Sequence, residues 1–179
     1  MYLLPHWTFY LTTKILKISA PFISTLLSYI FNKSMISGIF PTRFKYATIK
    51  PIFKNGDKKN VANYRPICIL PSFSKILEKI MYIRLMNHLE TNNILAIEQY
   101  GFRTSSSTTQ ASFNFINNIL NRLKKKNNVG GIFRDLQKAF DCVNHDILLN
   151  KLSFYGITGG FFQLIKNYLQ HRIPESCLK

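Results

Sequence analysis

Val129 to Asp146 reads VGGIFRDLQKAFDCVNHD, and this stretch decides how the rest of the chain is interpreted. Its first five residues are apolar or glycine and follow an Asn-Asn pair, a pattern typical of a short buried strand. Because side chains alternate along a strand, Gly131, Phe133 and Asp135 are expected on one face. Asp135 then lies at the strand end, where a carboxylate is costly unless a cation or hydrogen bonds compensate it. The stretch therefore predicts a candidate catalytic carboxylate.

The charge balance of the chain indicates its class of partner. The 179 residues include 24 Lys and Arg against 8 Asp and Glu, a net charge of +16. This charge is spread along the chain between Tyr and Phe residues, which predicts binding to nucleic acid, whereas a polybasic membrane anchor concentrates its charge in one run. Cys68, Cys142 and Cys177 lack CxxC spacing, which argues against a zinc site or a disulfide framework. We expect an intracellular protein, in the nucleus or the cytoplasm.

The N-terminal region contains an uncharged segment, residues 18–32. It is shorter than the roughly 18–20 residues that a spanning helix needs, so neither a signal peptide nor a transmembrane helix is expected. Apolar residues recur there at helical spacing and predict an amphipathic helix docked on a core. These residues are Ile15, Ile18, Phe22, Leu26 and Ile30.

Periodicity and capping residues predict an α+β fold with helices around a small sheet. The predicted helices cover about residues 14–32, 72–91, 109–125, 144–154 and 160–170. The predicted strands cover residues 47–53, 64–70 and 129–133. The first two strands flank the basic turn 54–60, which composition alone allows to be either a structured β-hairpin or a solvated lysine loop.

Four segments in this order resemble the reverse transcriptase domain of non-LTR retrotransposons, especially jockey-type mobile elements. They are FPTRFKYATIKPIFKNGDKKNVANYRPI at Phe40–Ile67, FSKILEKIMYIRL at Phe73–Leu85, QYGFRTSSST at Gln99–Thr108 and FRDLQKAFDCVNHDILLNKLSFYGI at Phe133–Ile157. The resemblance extends from about residue 14 to residue 172. It implies a partial right-hand polymerase with a helical extension at 1–39, a fingers-like region at 40–128 and a partial palm at 129–179.

The resemblance gives the carboxylate a role. In the family, the first aspartate of the D-x-x-K-A-F-D motif binds catalytic Mg²⁺, and here that residue is Asp135. Phosphoryl transfer to a primer hydroxyl needs two divalent ions, for which carboxylates and phosphate oxygens are the preferred ligands. Asp141 also belongs to the motif and is interpreted as structural, with contact to the metal site as the open alternative.

Further residues match the family's nucleotide and template contacts. Lys54 and Arg65 correspond to the basic pair that the fingers close over the triphosphate. Phe140 corresponds to the aromatic residue that rejects a 2′-hydroxyl, although the sequence alone favours a core position. Gln99, Gly101, Phe102 and Arg103 match a family motif near the template and nucleotide pocket. The remaining basic residues assigned to nucleic-acid binding are Lys50, Lys58 and Lys59.

A second aspartate motif of the family does not occur in this sequence. The family's palm continues to an aromatic-Ala-Asp-Asp hairpin and a thumb, so we expect a fragment that is inactive alone. In the complete enzyme the implied partners are an RNA template, a DNA primer and deoxynucleoside triphosphates. The alternative is a non-catalytic, basic nucleic-acid-binding module. A membrane-surface protein using residues 14–32 is the least favoured interpretation.

Overall fold

A computed structural model describes residues 13–136, 139–140, 142–170 and 173–176. The helices are α1 (Thr13–Ser37), α2 (Ser72–Thr91), α3 (Thr108–Lys124), α4 (His145–Phe154) and α5 (Gly159–Leu169). The strands are β1 (Tyr46–Phe53), β2 (Tyr64–Ile69) and β3 (Ile173–Ser176), and short 3-10 helices occupy Thr42–Lys45 and Val61–Asn63. Helices with a small sheet confirm the predicted α+β class.

Packing divides the chain into two compact units. The first comprises residues 1–85 and 144–179, and the second comprises residues 86–143. The first unit contains the whole sheet together with α1, α4, α5 and most of α2, whereas the second contains the end of α2 and α3. These two units are defined by packing. The division into extension, fingers and palm regions rests on the resemblance, and it stays a prediction.

The core of the first unit is formed by α1, α2, α4 and α5 together with the turns that follow α1 and α4. Its side chains are apolar and almost fully removed from solvent, which supplies the main favourable term in folding. They are Phe31, Met35, Phe40, Leu77, Met81, Leu149, Leu152, Ile157, Leu164 and Ile165.

The docked face of α1 differs from the predicted one. Ile18, Phe22 and Leu26 are 66%, 85% and 60% exposed, so most of the predicted apolar face points to solvent. The helix instead packs through Phe31 and Met35 in its C-terminal half. Apolar residues surround much of this helix, so helical spacing fits more than one face and cannot select the docked one.

Helix α1 continues through Pro21 to Ser37, so the helix predicted at about 14–32 and a short helical piece predicted to end near Ser37 form one helix. In the part of the chain that the structure describes, Lys14–Ser37 is the one helix long and apolar enough to cross a membrane. That judgement rests on length and composition only, and core helices and signal sequences meet the same criterion.

Two glycines allow α1 and α5 to pack at close range. A Cβ atom on Gly160 would lie 2.6 Å from the carbonyl oxygens of both Met35 and Ile36. Gly38 follows α1 with φ +69°, and a Cβ there would lie 2.5 Å from the Cβ of Gln163. The end of α1 and the start of α5 therefore meet through backbone, which only residues without a side chain permit.

A buried lysine joins the segment before β1 to the end of α5. Lys45 is 7% exposed, and its Nζ donates hydrogen bonds to the backbone oxygens of Asn167 and Gln170. The N–H of Phe40 donates to Asn167 Oδ1 at 3.0 Å. The last carbonyl groups of a helix have no partners within the helix, so an ammonium group at this position stabilises the C-terminus of α5.

The prediction of a strand at residues 129–133 is wrong. Residues 127–136 form no regular secondary structure, and the described side chains from Val129 to Leu136 are exposed. A strand requires a neighbour that pairs its N–H and C=O groups, and no strand occurs among the described residues of the second unit. A Cβ on Gly130 would meet nothing within 4 Å, and the segment touches α3 through the Phe133 ring, whose centroid lies 5.6 Å from that of Phe115.

Candidate nucleic-acid interface

The first two strands form the predicted β-hairpin. Strand β1 pairs antiparallel with β2, and Ile52 lies opposite Arg65 while Lys50 lies opposite Ile67. The third strand, which the sequence did not predict, pairs parallel with β1 and completes the order β2-β1-β3. Thr48 and Ile49 of β1 are therefore paired on both edges, and the half of β1 that leads to the basic turn pairs with β2 alone.

The strand register places the principal basic residues on one face of the hairpin. Opposed residues in an antiparallel pair share a face, so Lys50 and Arg65 lie on the same face as diagonal neighbours. Lys54 follows β1, and its N–H donates to Asn63 O at 2.9 Å, so the pairing of the two strands continues to this residue. Because side chains alternate along a strand, Lys54 lies on the same face as Lys50. All three basic side chains are exposed. Within the described residues, no carboxylate pairs with any of them.

The turn between the strands is held by hydrogen bonds of its own. Asp57 Oδ1 accepts from the N–H of Lys59 at 2.9 Å, and Asn60 Oδ1 accepts from the N–H of Ala62 at 3.0 Å. Asn63 Nδ2 donates to Asp57 O at 2.9 Å. These bonds favour a structured hairpin over a solvated loop, because they fix the backbone from which the lysine side chains project.

Lys58 lies on the opposite face from Arg65. Its Nζ is 5.9 Å from the ring centroid of Phe53, and the Phe53 and Tyr64 rings pack at 5.5 Å. Tyr64 also donates its hydroxyl to the backbone oxygen of Lys58 at 2.9 Å. Alternation places Phe53 and Tyr64 on the face away from Arg65, so the predicted basic residues divide between two surfaces.

The second unit contains Gln99 and Arg103, whose side chains both stabilise the turn around Gly101. Gln99 Nε2 donates to Gly101 O at 2.9 Å, and Arg103 donates from one terminal nitrogen to Ala96 O at 3.2 Å. Tyr100 is joined to α3 because Asn114 Nδ2 donates to its hydroxyl at 2.7 Å. Both predicted residues therefore serve the local backbone in this structure.

Phe102 has a conformation that the sequence did not indicate. Its φ is +59°, a value that costs about 1–3 kcal/mol for a bulky side chain. The ring is 81% exposed, and its centroid lies 6.1 Å from that of Phe140 in an edge-to-face arrangement. Phe140 is itself 79% exposed, so the core position that its apolar character favoured is not observed.

Asp135 lies in the irregular segment and is exposed. The described residues include no group of three or more His, Cys, Asp or Glu side chains that could hold a metal ion, and Asp141 lies outside them. Mg²⁺ at such sites is held by one or two carboxylates together with phosphate oxygens and water, so Asp135 alone defines no metal site. Nothing in the described structure tests its predicted catalytic role.

Comparison with protein families gives the class of the protein. Residues 55–178 match the family described as "Reverse transcriptase (RNA-dependent DNA polymerase)". This match includes the hairpin turn, β2, all of the second unit and α5, and it covers more than half of the chain. The chain belongs to the reverse transcriptase family.

Comparison with curated proteins narrows the class to mobile elements. The chain is 35% identical over 147 residues to the RNA-directed DNA polymerase from mobile element jockey of Drosophila funebris. It is 31% identical over 147 residues to the probable RNA-directed DNA polymerase from transposon X-element of Drosophila melanogaster. Each alignment covers 82% of this chain and 16% of the relative.

A more distant relative is the Pol polyprotein from type-1 retrotransposable element R2 of Popillia japonica, with 28% identity over 142 residues. That alignment covers 79% of this chain and 19% of the relative. The resemblance to jockey-type, non-LTR retrotransposon polymerases is confirmed, and the chain spans less than a fifth of the length of these relatives.

Proposed function

We propose that this chain is part of an RNA-directed DNA polymerase of a non-LTR retrotransposon and supplies its basic fingers hairpin. The observation that carries the proposal is the exposed face shared by Lys50, Lys54 and Arg65. Arg65 can hold phosphate oxygens in a bidentate manner, while the lysines act as point charges. The RNA template, DNA primer and deoxynucleoside triphosphates are the partners of the whole polymerase, which acts inside the cell, in the nucleus or the cytoplasm.

In this proposal, the residues of the second unit contact the nucleotide and the metal in a complete palm. Asp135 contributes one carboxylate to bind Mg²⁺, Phe140 limits the space at the sugar, and Gln99 and Arg103 shape the turn beside the template. Among these residues, Asp135 is exposed and lies in the irregular segment 127–136. We therefore assign binding of nucleic acid to this chain and derive no catalytic step for it.

Salt-dependent binding to single-stranded RNA tests the proposal. Each phosphate contact adds about 0.7 to the slope of log affinity against log salt for single strands. The triple variant Lys50→Ala, Lys54→Ala, Arg65→Ala should bind more weakly at low salt and lower the slope by up to about 2. Fluorescence anisotropy over a salt series measures both quantities.

A control of equal charge change separates the hairpin from the overall charge. Lys75→Ala, Arg84→Ala and Lys151→Ala remove two lysines and one arginine at exposed helical positions outside the hairpin. This variant should retain most of the slope of log affinity against log salt. Equal losses in the two variants would show that binding follows net charge and has no site on the hairpin.

The alternative is a non-catalytic, basic nucleic-acid-binding module, which the net charge of +16 supports. It predicts RNA binding that is unchanged by Asp135→Ala. Primer extension on an RNA template with Mg²⁺ distinguishes the two functions. Synthesis by the purified chain that Asp135→Ala abolishes would exclude the non-catalytic module.

A further inference from the structure

Lys45 and Asn167, here called the clasp, join the base of the hairpin to the end of α5. Lys45 ends the short 3-10 helix before β1, and its Nζ donates to the backbone oxygens of Asn167 and Gln170. The side chain of Asn167 accepts from the N–H of Phe40 at 3.0 Å. These residues and the whole hairpin belong to the first unit.

The hydrogen bonds of the clasp restrict orientation more than the apolar contacts beside it do. Phe40 packs 5.0 Å from Tyr168 and Phe44 packs 6.4 Å from Phe73, and apolar attraction of this kind has little directionality. Lys45 is only 7% exposed, so an ammonium group that left its two acceptors would stay desolvated without them. The clasp therefore favours one orientation of the chain where it enters β1.

The position of the basic face depends on this orientation. Strand β1 is paired on both edges at Thr48 and Ile49, and from Lys50 onward it pairs with β2 alone. Lys54 follows Lys45 by nine residues, which is roughly 30 Å along an extended strand. A tilt of about 10° at Lys45 would therefore move Lys54 by about 5 Å, which is more than the length of a hydrogen bond.

We infer that Lys45 and Asn167 are positioning residues, which hold the basic hairpin in the orientation that binds nucleic acid. Their own polar groups are bonded to neighbouring protein groups, so their effect passes through the basic face of the hairpin. The inference thus rests on the proposed function. A hairpin that spends only about 10–30% of its time in the competent orientation binds about 3- to 10-fold more weakly.

Distances between two spin labels test the orientation without any ligand. The labels are attached at Asn55→Cys in the hairpin turn and at Ser153→Cys on α4, which are exposed positions. The natural cysteines are first replaced, by Cys68→Ser, Cys142→Ser and Cys177→Ser. Lys45→Met should broaden or shift the distance distribution relative to the labelled parent chain. Lys166→Met, which removes an exposed lysine from the last turn of α5, should leave the distribution unchanged.

Binding of single-stranded RNA by the same variants tests the consequence. Lys45→Met should bind about 3- to 10-fold more weakly than the parent chain, with the same slope of log affinity against log salt, because no phosphate contact is removed. A slope lower by about 0.7 would make Lys45 a direct phosphate contact and overturn the positioning role. An unchanged distance distribution or an unchanged affinity would overturn it as well.

If Lys45→Met does not fold, Asn167→Ala decides, since it removes the acceptor for Phe40 and keeps the lysine. A changed distance distribution together with weaker RNA binding supports the positioning role, and any other result overturns it. The proposed function is scored separately with Lys50→Ala, Lys54→Ala, Arg65→Ala. Loss of affinity there, while the clasp variants behave as the parent chain, removes the positioning role and leaves the proposed function standing. If the parent chain fails to bind RNA, both are wrong.

Discussion

Gly160 lies where the backbones of α1 and α5 approach most closely. Its substitution by alanine would place a Cβ atom 2.6 Å from two carbonyl oxygens of α1, and neither oxygen can move without shifting the helix. We expect Gly160→Ala to lower the free energy of unfolding by about 1–3 kcal/mol. Urea denaturation followed by circular dichroism measures the change. Gly130→Ala is the control because a Cβ there meets nothing within 4 Å, and equal effects of both substitutions would contradict this explanation.

Lys45 satisfies carbonyl groups that the end of α5 leaves without helical partners. Lys45→Met keeps a chain of similar length but removes the donor to the carbonyl oxygens of Asn167 and Gln170. The substitution should lower the free energy of unfolding by about 1–2 kcal/mol, since two part-buried acceptors would lose a charged donor. Lys166→Met, at an exposed position in the last turn of α5, is the matched control and should have little effect in the same urea titration. A stable Lys45→Met protein would show that water replaces the ammonium group.

At the scale of an element, α1 offers a direct comparison between its two faces. Phe22 is 85% exposed and Phe31 is 5% exposed on the same helix. Phe31→Ala should lower the free energy of unfolding by about 3–5 kcal/mol, whereas Phe22→Ala should change it by less than about 0.5 kcal/mol. Thermal and urea denaturation of the two variants check this difference. A larger loss of stability from Phe22→Ala would mean that α1 docks through the face predicted from helical spacing.

Elements with local signals were predictable, whereas elements that depend on a distant partner were not. The sequence offers Asn144 or Asp146 as the cap of α4, and the structure selects Asn144, whose side chain accepts hydrogen bonds from the N–H groups of Asp146 and Ile147. Likewise, Ser107 caps α3, and Gly156 follows α4 with φ +83°. The prediction of a strand at 129–133 was wrong because a strand needs a neighbouring strand to pair with. An apolar run does not show whether such a neighbour is present.

The candidate site was partly predictable for the same reason. The resemblance selects Lys54 and Arg65, and alternation in the hairpin then places them with Lys50 on one face. The position of Lys58 over Phe53 depends on the exact course of the turn, which composition does not define. The positive φ of Phe102 has no sequence signal either, because aromatic residues rarely adopt it.

At the scale of the whole molecule, the two units differ in how many of their side chains are buried. None of the described side chains between residues 86 and 143 is buried, whereas the first unit contains an apolar core. Local opening needs less free energy where few apolar contacts are lost. We therefore expect amide hydrogens in α3 to exchange through openings of lower free energy than those around Leu164 in α5, which is fully buried.

Hydrogen exchange followed by mass spectrometry over a series of low urea concentrations measures both openings. Exchange in α3 should show a smaller dependence on urea than exchange in α5, because a partial opening exposes less surface than global unfolding. Equal free energies and equal urea dependence in α3 and α5 would instead show one cooperative unit.

The bonds of Lys45 and Phe40 to the end of α5 have a consequence for how the protein acquires its shape. They join residues separated by 122 to 127 positions, so the hydrogen bonds that hold the segment before β1 depend on residues much later in the sequence. During synthesis, β1 and β2 leave the ribosome before the residues at the end of α5 have been made. Contacts of such long sequence separation form slowly, because the intervening chain must be ordered or closed as a loop first. The nascent hairpin, with its exposed lysines, therefore passes through a period in which chaperones or nucleic acid can reach it before the fold is complete.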